Sequence, residues 1–250
     1  MRRLVVSALT GLAAFAFGAK ASASEFTFKT AGFGTYVHGE YGLAQRGNAS
    51  FENSSGNGIS FDQSRTANLG GEFGLLFAGE KSIFRVSLEL LTGKSLNGVV
   101  GSSGGASKFT FDSKVLAFIP EVSMDFVAKQ FPESRVLISL GGGVALVQTS
   151  NTYTMTGGYG GLSNHTDSGK GQGLAVNAGV AYEFIFADHA TLVADLGYRY
   201  CKISQLTARD TVTTFSGTYA EGATLKNMDG SDRTLDLGGV HAGIGFRFYF

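Results

Sequence analysis

The sequence predicts an all-β protein, a single eight-stranded antiparallel up-and-down transmembrane β-barrel. Three observations predict it. Eight stretches alternate apolar and polar side chains with period two, as strands with two unlike faces do. The intervals between them alternate short and long without exception. After the N-terminal segment no apolar stretch reaches the ~20 residues of a membrane helix, so a membrane crossing would have to use strands that close on themselves.

Composition narrows the class. A chain of 250 residues fits one domain or two. It holds 37 glycines, 2 prolines, 21 phenylalanines and no tryptophan, and only 16% of its residues are charged, against ~25% in a typical soluble protein. Net charge is zero, so no nucleic-acid partner is expected. The single cysteine, Cys201, cannot form an intramolecular disulfide.

The elements follow in order. Residues 1–23 read as a secretory signal peptide: Arg2 and Arg3, a short apolar run from Leu4 to Phe17, then Ala21-Ser22-Ala23. Cleavage is expected after Ala23, with Ala21 second. The domain proper is 24–250. In the first strand region, 26–46, Phe33, Val37, Tyr41 and Leu43 face one way and Tyr36, His38 and Glu40 the other. In 66–77, Leu69, Phe73, Leu75 and Phe77 oppose Gly70, Glu72 and Gly74. In 83–95, Phe84, Val86, Leu88 and Leu90 oppose Arg85, Ser87 and Glu89. In 109–128, Leu116, Phe118, Val122, Met124 and Phe126 oppose Glu121, Ser123 and Asp125. In 135–149, Val136, Ile138, Leu140, Val144 and Leu146 oppose Ser139, Gly141, Gly143 and Thr149. In 173–186 the apolar face runs from Leu174 to Phe186 and opposes Asn177, Gly179 and Glu183. In 191–207, Leu192 to Tyr200 oppose Asp195, Gly197, Arg199 and Cys201. The last strand, 233–250, carries Val240, Ile244, Phe246, Phe248 and Phe250 against His241, Arg247 and Tyr249.

Three connections are short (78–82, 129–134 and 187–190), and four are long and rich in Gly, Ser, Thr and Asn (47–65, 96–108, 151–172 and 208–232). Bacterial outer-membrane barrels have short periplasmic turns and longer extracellular loops. The expected location is therefore the outer membrane of a Gram-negative bacterium, with periplasmic termini and extracellular loops. The loop runs "GSSGGAS" and "TGGYGG" fit no phosphate-binding pattern and read as flexible surface.

Lipid cannot satisfy a charge, so the apolar faces must point outward and the charges inward. The expected lumen charge network is Glu72, Arg85, Glu89, Glu121, Asp125, Glu183, Asp195, Arg199, His241 and Arg247, with His38 and Glu40 beside it. Arg85, Arg199 and Arg247 should sit at its centre, each paired, because stranding a buried charge costs several kcal/mol. Acids outnumber arginines, so some carboxylates should be solvated or protonated. An eight-stranded barrel is just wide enough to be filled by side chains. Inward glycines such as Gly141, Gly143, Gly179, Gly197 and Gly243 would leave space, which keeps a narrow water path open as a second reading.

His165, Asp167 and Ser168 lie together in "SNHTDSG", but loop composition explains them more simply than a hydrolase site. Asp188–His189 reads as a turn. His38 and His241 should approach where first and last strands pair, as a hydrogen-bonded pair; two histidines alone fall short of a metal site. Cys201 reads as an inert buried thiol. No catalytic, cofactor or metal site is expected, and the protein is not expected to be an enzyme.

The signal peptide, the eight alternating strands, the four long loops and the terminal "GFRFYF" together resemble small outer-membrane barrels of the OmpA-like transmembrane domain type. The resemblance covers about residues 25–250 and lies in architecture. It implies that Phe246, Phe248 and Phe250 form a signal read by the barrel-assembly machinery. A peptidoglycan-binding domain follows the barrel in the name-giving members; none follows here, so tethering to the cell wall is not carried over. The functional expectation is an integral barrel with a structural envelope role and a charge-filled, closed lumen. The alternatives are a small porin-like channel, and a loop-mediated adhesin or lipid-organising oligomer. The expected partners are outer-membrane lipids, the assembly machinery and, as a candidate, a second copy of the chain.

Overall fold

The computed structural model describes residues 27–28, 32–44, 59–61, 66–93, 95–156 and 161–250. The signal-peptide segment, most of loop 47–65 and residues 157–160 of "TGGYGG" lie outside them. Eight long strands form the wall: β1 (Phe33–Ala44), β2 (Thr66–Ala78), β3 (Ser82–Gly93), β4 (Ala106–Gln130), β5 (Ser134–Met155), β6 (His165–Ala187), β7 (Ala190–Ile203) and β8 (Gly239–Tyr249). Each pairs antiparallel with its chain neighbour, and β1 pairs with β8 from Gly34↔Tyr249 to Gly42↔His241. The ring of these eight strands is closed.

The period-two pattern sets the two faces. Leu69, Phe73, Val122, Leu140, Val180, Leu196, Tyr198 and Ile244 stand exposed on the outside. Their sequence neighbours turn inward and are buried or half-buried. On β8 the outer apolar run spans Val240 to Phe250. Ten steps of ~3.3 Å at a tilt of ~40° give a band ~25 Å tall, the height of an outer-membrane barrel's apolar belt. Phe33, Phe77, Phe84 and Phe250 form a chain of neighbouring rings at the short-turn end.

The short turns are tight. At 187–190 the chain reverses through Asp188 and His189, whose φ is 63°. The "long loops" need correction, because much of 96–108 and 151–172 is strand. A strand at Leu96–Ser103 folds back on β4 through a two-residue turn at Gly104 and Gly105, both with positive φ (61° and 77°), as a type I′ hairpin requires. Here "GSSGGAS" is an ordered hairpin. β5 and β6 remain paired up to Tyr153↔His165. β4, β5 and β6 therefore run 25, 22 and 23 residues and raise one side of the barrel into a wall. The segment 208–232 contains short strands at Val212–Thr214 and Gly217–Tyr219 and folds over the barrel mouth. Sequence alternation weakens in these segments because the outward face turns from apolar to hydroxylated and charged while the inner face stays packed, which blurs the two-sided hydrophobic signal.

Candidate functional site

The lumen is layered. At the short-turn end Tyr36, Leu76, Ile83, Leu137, Ala181, Val193 and Tyr249 form an apolar floor. The ring of Phe28 lies 4.2 Å from the guanidinium carbon of Arg135, just inside that floor.

Above it lies a compact charged cluster. Glu183 is its hub: Arg135 Nε donates to it at 2.8 Å, Arg247 Nη1 at 3.0 Å, the Tyr249 hydroxyl at 2.7 Å and Thr191 Oγ1 at 2.6 Å. Arg247 Nη2 reaches Asp125 at 2.6 Å, and Arg85 Nη2 reaches the same carboxylate at 3.2 Å. Arg85 also approaches Glu72 at 3.4 Å, and Glu72 accepts the Tyr36 hydroxyl. Three carboxylates thus meet three guanidiniums, and the cluster is neutral. Arg135 was missed by the sequence reading, which found no lumen charge on 135–149. It lies at the start of the strand, in phase with inward Leu137 and Ser139, and that parity is the signal that could have found it.

The next layer up is richer in acid. Arg199 holds Glu40 at 2.7 Å and Glu89 at 2.6 Å. Asn177 Nδ2 donates to both oxygens of Glu121 at 2.8 Å, so this carboxylate is met by a neutral amide. His38 pairs with Asp195. Arg85 and Arg247 therefore share one cluster, while Arg199 centres another. The expected His38–His241 pair does not form. The Nδ1 of His241 makes no hydrogen bond to the described protein, and its ring lies over Gly197 instead.

The inward glycines do not leave open space. A Cβ on Gly243 would lie 2.2 Å from the His38 ring, and one on Gly197 would lie 2.7 Å from the His241 ring. At Gly141 it would meet Glu121 and Asn177 at 2.6 Å. At Gly143 and Gly179 it would meet the carbonyl oxygens of Pro120 and Leu196 at 2.2 and 2.8 Å. Gly141, Gly197 and Gly243 seat polar side chains, while at Gly143 and Gly179 the neighbouring backbone itself closes the space. The remaining cavity among the charged groups is about 60 Å³. At ~10–15 Å³ per water it has room for about four to six waters.

The loop half of the lumen is mainly apolar, with one buried ion pair. Leu91, Val115, Ala117, Ile119, Val147, Cys201, Ile203, Leu235 and Leu237 from the wall pack with Leu206, Ala208 and Leu225 from the folded segment above. Arg233 Nη1 reaches Asp167 Oδ2 at 2.5 Å, and Asn151 Nδ2 donates to the other oxygen at 2.9 Å. Both ionic partners are essentially fully buried. His165 stacks on Tyr153 at 4.9 Å. Ser168 projects to the opposite face of β6 from His165 and Asp167, so the three do not converge.

Of the terminal aromatics, Phe246 and Phe250 are exposed on the outer face and Phe248 is half-buried.

No protein-family model matches the chain, and no curated protein matches it. Among solved structures it is similar to small outer-membrane barrels. The attachment invasion locus protein Ail of Yersinia pestis is 14% identical, with 88% of this chain and 100% of that one covered and a TM-score of 0.41. Neisserial surface protein A is 16% identical, with 86% and 97% covered and a TM-score of 0.40. The outer membrane protein OprG of Pseudomonas aeruginosa is 15% identical, with 88% and 96% covered and a TM-score of 0.45.

Proposed function

We infer that the chain is an integral outer-membrane β-barrel protein with a structural role in the envelope and a lumen closed to solutes. The observation that carries this is the combination of a closed ring, an exposed apolar belt and a layered interior. A band of exposed Leu, Val, Ile, Phe and Tyr around a closed sheet suits a lipid environment and would be an aggregation liability in water. Inside, an apolar floor, a neutral ion-pair cluster, an acid-rich layer around Arg199 and an apolar plug follow one another. An ion crossing this path would have to break buried pairs and then enter a dry apolar layer. Orientation follows the loop-length rule: termini in the periplasm, the raised wall and folded segment outside. Phe246, Phe248 and Phe250 are the segment offered to the barrel-assembly machinery. The protein acts as a non-enzymatic barrel.

The test has two parts. Refolded protein should float with phospholipid vesicles and run with heat-modifiable gel mobility. In planar bilayers it should give no conductance steps. Failure to float would remove the membrane reading, and well-resolved unitary currents would replace closure with the channel alternative. That alternative draws on the water-sized cavity among Glu40, Glu89, Glu121 and Arg199.

A further inference from the structure

The outer surface of the raised wall is ordered by chemistry from bottom to top. On β4, β5 and β6 the outward residues share rows fixed by strand register. The last apolar outward residue is Leu116 on β4, Leu146 on β5 and Leu174 on β6, each in its own row. The register aligns Leu116 with Gln148, Lys170 and Thr207. The next row aligns Lys114, Ser150 and Ser168, and Arg209 closes it by donating its backbone N–H to Ser168 O at 2.8 Å. Above that come Asp112, Thr152 and Thr166, then Thr110 and Thr154. The Thr152 and Thr166 hydroxyls are bonded at 3.0 Å.

The face therefore passes from hydrocarbon-like to cationic to hydroxylated within four rows, about 20 Å along the strands. Lys114, Lys170 and Arg209 are exposed. Three strand spacings of ~4.8 Å separate Lys114 from Arg209, with Lys170 between them. The acids near them are Asp112, whose Oδ1 already accepts Gly98 N–H at 2.7 Å, and Asp210. The opposite side of the barrel has no such band among the described residues: at the same end β1 and β2 present Tyr41, Leu43 and Leu69.

We propose that this face docks a phosphorylated saccharolipid of the surrounding leaflet. Its acyl chains lie on the Leu116–Leu146–Leu174 belt. Its phosphates sit at Lys114, Lys170 and Arg209, and its sugars sit against the Ser150, Ser168, Thr152 and Thr166 hydroxyls. Charge complementarity argues for phosphate, because three cations face it against two local acids, one of which accepts the Gly98 N–H. Continuity with the apolar belt argues for a lipid rather than a free anion, since the cations begin where the belt ends. Hydroxyl groups on the pleated face add hydrogen-bond donors and acceptors at the level where a lipid disaccharide would stand. The inference rests on the membrane reading above.

The test uses full-length protein in phosphatidylcholine vesicles doped with diphosphoryl lipid A, its dephosphorylated form, or neither. Flotation first establishes insertion, and native mass spectrometry of the extracted protein then counts retained lipid. Diphosphoryl lipid A should be retained at least tenfold over the dephosphorylated form. The Lys114→Ala/Lys170→Ala/Arg209→Ala variant should lose about tenfold of that preference, and 0.5 M salt should weaken it. The Lys81→Ala/Lys129→Ala variant, with exposed cations at the other end of the barrel, should retain it. Equal retention of both lipids by inserted wild-type protein, or an unchanged preference in the triple variant, overturns the docking site while leaving the membrane reading intact. Competition by a lipid-free phosphorylated oligosaccharide at equal potency would overturn the assignment to a lipid. Failure to float removes the membrane reading itself.

Discussion

Glu183→Gln tests the charged cluster at its hub. The carboxylate is fully buried and receives four donors, two of them guanidiniums. Glutamine keeps the shape and can still accept one set of hydrogen bonds, but it removes one of three negative charges. Arg85, Arg135 and Arg247 would then face only Glu72 and Asp125. Removing one partner of a buried ion pair costs about 3–5 kcal/mol, chiefly through the charge left behind. The small cavity beside Arg247 can admit water, so the low end applies, about 3 kcal/mol. That is more than a hundredfold in the folding equilibrium and a large share of a typical 5–15 kcal/mol stability. The assay is urea unfolding of vesicle-inserted protein, read by heat-modifiable mobility and far-UV circular dichroism. Arg135→Met in the same background should restore neutrality. The double variant should then be more stable than additivity allows by at least about 1 kcal/mol. A single-variant loss below about 1 kcal/mol, or strict additivity, would refute the idea that charge balance holds this layer together.

Three further outcomes follow from the same geometry. Gly243→Ala should cost about 1–3 kcal/mol by displacing the His38 ring from its place beside Asp195. Gly39→Ala, whose nearest atom would be 3.9 Å away on the outer face, should be neutral within about 0.5 kcal/mol; the two urea midpoints check the contrast. Val180→Arg, at an exposed belt position, should cost about 2–4 kcal/mol in bilayers, while Thr152→Arg on the raised wall should cost nothing measurable in the same titration. Arg233→Met should free the folded segment from Asp167 and raise trypsin cleavage at Arg209 and Lys226 in intact vesicles, where the parent protein resists.

The wall of this barrel was legible because its two faces meet opposite solvents. Leu192 to Tyr200 alternate with Asp195, Gly197 and Arg199, and a one-residue slip would bury Tyr198 and place Arg199 outside. Short turns were legible for a related reason, since each interrupts the alternation briefly. The raised wall was not legible. Thr152 and Thr166 outside oppose Tyr153 and His165 inside, but hydroxyls beside aromatics give no hydrophobic contrast of the kind the belt shows. The pairing partners that cover Phe109 and Phe111, namely Leu96, Val99 and Phe61, come from segments that read as loops.

The lumen was legible by residue type and not by depth. Inward charges could be found from parity: applied at the first residue of 135–149 it adds Arg135, and carried three same-face steps before residue 173 it adds Asp167. Parity says nothing about height along the barrel axis, and height decides partners. Arg85, from β3, and Arg247, from β8, share Asp125 of β4 because strand stagger brings them to one level. Arg199 stands above them and takes Glu40 and Glu89 instead. Stagger is a property of the closed ring as a whole, set by how all eight strands register when β8 meets β1. The same closure explains the glycines. Each Cβ missing at Gly197 or Gly243 is replaced by a histidine ring reaching across from an adjacent strand, a compensation visible only once the register is known. The interior is therefore filled by pairs of positions, one small and one long. A composition rich in glycine is in this respect a sign of tight packing around a few polar side chains rather than of an open pore.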